Sequence, residues 1–79
     1  GDEEVFVKTG VVDDVDYVKP SFWVNEQVTV LFNDTSSYTF RAGKVGGFYL
    51  FCENHKGEMI TITYTKLMGF YSIKSFSRG

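Results

Sequence analysis

The chain has a single cysteine, a single histidine and a single proline in 79 residues, and each scarcity excludes something. One cysteine permits no intrachain disulfide, so no covalent staple holds this small chain together. One cysteine and one histidine supply only half of the usual four zinc ligands. No apolar run approaches the ~20 residues of a membrane-spanning helix. The first residues lack signal-peptide character, and localisation stays open. Gly-rich phosphate loops that open a helix are absent as well. A net charge of −2 is too small to select a nucleic acid or a membrane as partner by itself.

Aromatic residues, in contrast, are abundant: eight Phe, five Tyr and one Trp. The length gives one domain, 1–79, close to the lower limit for an unaided core. Each buried aromatic removes about 150–250 Å² from water, worth several kcal/mol at ~25 cal/mol per Å². Such a core can carry the fold, with dimerisation as a supplement.

Charge is unevenly placed. Residues 1 to 34 sum to −6 and residues 35 to 79 to +4. If the two halves interleave in one barrel, the asymmetry draws them together. If they do not, it leaves a dipole able to orient a charged partner.

Period-2 alternation of β-branched and aromatic residues dominates the chain. "EVFVKTGVV" reads as a first strand with a bend at Gly10, continued by "DDVDYVKP" after an acidic kink. "PSFWVNE" is a connection or a short edge segment. "QVTVLFND" is the clearest strand, with Val28, Val30 and Phe32 on one face. "NDTSS" is a turn by composition, and "YTFRAG" returns from it. "GGFYLFCEN" is apolar on both faces and reads as a central strand, leading through "HKGE" into "MITITYTKL". "MGFYSIKSF" is the last strand, entered through Gly69. No stretch holds helical spacing for more than a turn, so no proper helix is expected. Five or six short strands with Gly at the bends predict a single all-β domain, a five- to six-stranded antiparallel barrel. An SH3-like barrel is the first choice, with an OB-like barrel or a small sandwich as alternatives.

"YLFCENHKGEM" places Cys52, His55 and Met59 in the order of a copper ligand loop. It resembles that of plastocyanin-like cupredoxins, as "VNEQVTVLFND" resembles the strand leading to their first histidine. Type 1 copper needs two imidazoles, and His55 is the only one here. The copper-binding reading is therefore set aside, and no metal or cofactor is assigned. Cys52 is expected in the interior, His55 at a turn, and Met59 filling a gap. A Cys52–His55 nucleophile would need an exposed thiol of lowered pKa, whereas apolar surroundings raise it. Asp13, Asp14 and Asp16 form a carboxylate cluster that reads as a solvated bend. No enzyme activity is expected.

Two binding sites are suggested. Phe22 and Trp23 are adjacent, so on a strand one would face the core and the other solvent, as an anchor for a partner. The C-terminal stretch "KLMGFYSIKSFSRG" interleaves Lys66, Lys74 and Arg78 with Phe70, Tyr71 and Phe76, and aromatics mixed with cations on a β-surface suit stacked bases and phosphates.

Across residues 9–62, "TGVVDDVDYVKPSF…VTVLFND…YTFRAGK…GGFYLFCENHKGEMITI" resembles small uncharacterised β-barrel proteins of phages and bacterial mobile elements. The resemblance implies an SH3-like barrel in a phage or bacterial setting and brings no catalytic residues. The expectation is a non-enzymatic interaction module. It would bind a protein partner or a second copy of itself, through Trp23 and an unpaired strand edge. Single-stranded nucleic acid, bound across Phe70, Tyr71 and Lys74, is the alternative.

Overall fold

The computed structural model describes residues 3–79, which form five strands and one helix. The strands are β1 (Val5–Val18), β2 (Gln27–Phe32), β3 (Ser37–Ala42), β4 (Met59–Leu67) and β5 (Phe70–Arg78), with helix α1 (Val45–Glu53) between β3 and β4. They make one sheet whose pairings close on themselves in the order β1-β2-β3-β5-β4, with β4 back against β1. Every strand thus has two neighbours, and the unpaired edge expected for a partner is reduced to parts of strands. β3 and β5 run parallel, through Phe40–Tyr71 and Ala42–Ser72, so the sheet is mixed rather than wholly antiparallel.

The long β1 serves two partners. Val5 to Val11 pairs with β4, and Val12 to Val18 pairs with β2, with a register shift between Val12 and Asp14. A bulge there bends the strand and lets a sheet curl shut. The segment after α1 satisfies the backbone at the switch: Val12 N–H donates to the Glu58 carbonyl at 3.1 Å, and Gly57 N–H donates to the Val12 carbonyl at 2.8 Å. Gly10 permits the bend sterically, since a Cβ there would lie 2.8 Å from Cδ1 of Phe32.

Strand β2 alternates half-buried and buried residues without a break, which puts Val28, Val30 and Phe32 inside as its sequence predicts. Ile60, Ile62 and Tyr64 do the same on β4. Burying each such aliphatic or aromatic side chain contributes about 1.5–3 kcal/mol.

The "GGFYLFCEN" stretch is helix α1, not a central strand. Its buried residues Val45, Phe48 and Cys52 lie on one helical face and pack against β1, β2 and β3. Phe48 meets Phe40 at 5.6 Å and Phe76 at 5.2 Å between ring centres. Two glycines and several aromatics give the segment poor helix propensity. Packing against the barrel overrides it. Gly43, just before the N-cap Lys44, has φ +77° and approaches β5 so closely that a Cβ would lie 2.1 Å from the Ile73 carbonyl oxygen. "HKGE" is consequently a helix-to-strand connection and not a hairpin loop.

Candidate nucleic-acid interface

The loop between β1 and β2 is a serine-fastened turn. Ser21 N–H donates to the Val24 carbonyl at 2.8 Å, and its Oγ accepts from the N–H groups of Trp23 and Val24 at 3.3 and 3.2 Å. The turn leaves both Phe22 and Trp23 in solvent, 88% and 86% exposed. The expectation that one of them enters the core fails because the segment is a turn, where strand alternation does not apply. Their rings meet edge to face at 4.6 Å.

Leu67 pairs with Phe70, and Met68 and Gly69 between them both have positive φ, 48° and 87°. That is the signature of a tight type I′ hairpin, whose twist suits antiparallel strands. It fixes where Phe70 and Tyr71 emerge from the last turn.

Between the two loops runs a chain of three shallow hollows with shared walls. Trp23, Val24, Asn25, Gln27 and Arg41 line the first, of about 240 Å³. Arg41 is also a wall of the second, about 250 Å³, with Thr39, Lys66, Gly69, Phe70 and Tyr71. Lys66 and Tyr71 are shared with the third, about 250 Å³, which Phe6 and Tyr64 complete at the barrel mouth. Aromatic rings and cations therefore alternate along one path: Trp23, Arg41, Phe70 and Tyr71, Lys66, then Phe6 and Tyr64.

The ion pairs explain which cations are available. Lys8 pairs with Asp34, Lys56 with Asp14 and Glu53, Lys74 with Glu3, and Arg78 with Glu58. Among the described residues, Lys19, Arg41, Lys44 and Lys66 have no carboxylate within salt-bridge distance. Two of these four stand on the path. Lys56–Asp14 and Lys74–Glu3 join the basic half of the chain to the acidic half, so part of the charge asymmetry holds the barrel together.

Lys74 is displaced from Phe70 and Tyr71. It sits in the register shift of β5, paired with Glu3, and lines a separate hollow with Gly43, Lys44 and Phe76. The cation beside Tyr71 is Lys66, its direct cross-strand partner on β4. Lys66 belongs to the basic and aromatic C-terminal stretch, whereas Arg41 escapes a reading along the sequence because the path crosses β3, β5 and β4. Strand register alone brings them together.

Asp16 bounds this face on its far side. Asp16 is opposite Thr29, and Thr29 is opposite Thr39, with Thr29 Oγ1 and Thr39 Oγ1 at 2.8 Å. Directly opposed residues share a face. The outer surface thus grades from carboxylate on β1, through two threonines, to Arg41 near the β3–β5 seam.

The third hollow sets two phenols, Tyr64 and Tyr71, beside Lys66. Burial first, then neighbouring Tyr38 and Tyr71, raise the Tyr64 phenol pKa, so it remains a donor at neutral pH. Tyr64 lies 5.0 Å from Tyr71 and stacks with Phe6 at 5.6 Å, interplanar angle 25°.

Cys52, His55 and Met59 do not form a donor set of this kind. Cys52 is fully buried on α1, and burial followed by the charge of Glu53 pushes its thiol up to about 12. His55 stacks on Phe51 at 4.2 Å, with Nδ1 2.6 Å from the Phe51 carbonyl oxygen. Met59 is half exposed at the start of β4. Asp14 accepts from Val15 N–H at 2.9 Å and pairs with Lys56. Among the described residues, no three or more His, Cys, Asp or Glu side chains are grouped to hold a metal ion. Among the described residues, no helix is long and apolar enough to cross a membrane.

No protein-family model, curated protein or solved structure matches the chain.

Proposed function

We propose that this chain is an OB-like barrel that binds single-stranded nucleic acid along the path from Trp23 to Phe6. The strand order, the helix between β3 and β4 and the parallel β3–β5 contact favour the OB-like alternative over the SH3-like one. Barrels of that kind bind oligonucleotides between the loops that here hold Trp23 and Gly69.

The observation that carries the reading is the alternation of unpaired cations with aromatic rings across three joined hollows. Stacking of each base on an aromatic ring contributes about 1–3 kcal/mol whatever the base, and the cations neutralise the phosphates between. The overall charge of −2 opposes binding. At ~0.1 M salt, charges farther than about 10 Å apart are largely screened, so a phosphate responds mainly to the charges nearest it, here Arg41 and Lys66. A duplex fits poorly because its bases are stacked on one another and cannot reach Trp23 or Tyr71.

Electrophoretic mobility shift with single strands and duplex of the same sequence, at low and moderate salt, tests the proposal. A shift confined to the single strand and weakened by salt is expected. No shift at low salt overturns it.

A protein partner or a second copy is the second reading, and the observation favouring it is the exposure of Phe22 and Trp23. It predicts a mass that rises with concentration in sedimentation, or a stable complex with a protein. In the second-copy case, Trp23→Ala abolishes the rise.

A further inference from the structure

We infer that the barrel mouth seats the terminal nucleotide of the bound strand, so that the protein recognises a free end. This inference rests on the single-strand reading above and adds a stopping point to it. The third hollow is walled by Phe6, Tyr64 and Tyr71, with Lys66 at its junction with the second. Its rings and phenol oxygens suit one flat base with polar edges. Lys66 is placed for the phosphodiester joining that base to its neighbour.

Two features end the path there. Lys8 follows Phe6 by two residues and faces the same side of β1, a strand's side-chain period being two. Its ammonium lies 5.1 Å from the Phe32 ring centre and 5.8 Å from that of Tyr38, and is held by Asp34 at 2.7 Å. Lys8 is thus already neutralised and offers no free charge to a strand running on beyond Phe6. In the other direction, Glu4 precedes Phe6 by two residues and is exposed. Among the described residues it has no cation within salt-bridge distance. A phosphate continuing past Phe6 would approach that carboxylate, whereas a terminal nucleoside ends short of it.

The decisive comparison uses the unmodified protein with one single-stranded sequence in linear and covalently circular form. Binding of the linear strand at least about tenfold tighter, which is ~1.4 kcal/mol, is expected. Equal affinity for circle and linear strand overturns the end-seating inference while leaving single-strand binding intact. Failure of both to bind overturns it together with the reading beneath it. Glu4→Lys provides an independent check at an exposed position. It is expected to bring the circle within about twofold of the linear strand, ~0.4 kcal/mol, and an unchanged gap overturns the part assigned to Glu4.

Discussion

Arg41 on β3 and Lys66 on β4 are walls of one hollow, although β5 separates their strands in the sheet. Neither has a carboxylate within salt-bridge distance among the described residues, whereas Lys8, Lys56, Lys74 and Arg78 are all paired. If phosphates lie against these two side chains, each contact releases condensed counterions. Arg41→Ala and Lys66→Ala should each weaken single-strand binding to a similar extent for all sequences. Each should also reduce the slope of log affinity against log salt by about 0.7. Titrations at several salt concentrations measure both quantities.

Trp23 should contribute to binding with almost no role in stability, because 86% of it is exposed. Trp23→Ala is expected to cost about 1–3 kcal/mol of single-strand affinity. Its unfolding free energy should stay within about 0.5 kcal/mol of the parent, as for other surface substitutions. Paired binding and urea-unfolding curves separate the two effects.

Phe48 should behave in the opposite way. It is fully buried on α1 and meets Phe40 and Phe76. Phe48→Ala should cost about 3–5 kcal/mol, a large share of the 5–15 kcal/mol typical of a domain. Circular dichroism during urea unfolding should show a midpoint far below that of the parent.

The Lys8–Asp34 pair predicts a defined pH dependence. Lys8, then the Ser36 hydroxyl and N–H, hold the Asp34 carboxyl well below its usual range near 3.8. Its stabilisation is therefore present above that ordinary value and is lost as pH falls through the lower folded value. Lys8 is raised above 10.5, chiefly by the hydrogen bond to Asp34, so its stabilisation is complete below 10.5 and is lost as pH rises through the folded value. Asp34→Asn should remove both dependences. Unfolding curves from acid to alkaline pH, compared with the parent, check this.

How much of this is legible in the sequence depends on the element. β2 and β4 are plain because strict alternation puts Val28, Val30 and Phe32, or Ile60, Ile62 and Tyr64, on one face. Asp34 also announces its turn, accepting from both Ser36 N–H and Oγ. α1 is hidden because Leu50 and Phe51 are apolar too, blurring the Val45, Phe48, Cys52 spacing that marks its buried face. Phe22 and Trp23 stand out by composition, but their joint exposure follows from the Ser21 turn. Lys66 is visible as a cation in the same stretch as Tyr71, but its place directly opposite that ring is set by a register between strands. Arg41, on β3, shares no stretch of sequence with Phe70 and Tyr71 and is not legible there.

Trp23 is the only tryptophan, so its fluorescence reports on one point of the proposed path. Titration with a single-stranded oligonucleotide at low salt tests the central claim most directly. Stacking of a base on the indole predicts saturable quenching that added salt reverses and that duplex of the same sequence fails to produce. Unchanged Trp23 emission up to saturating single strand would contradict the account.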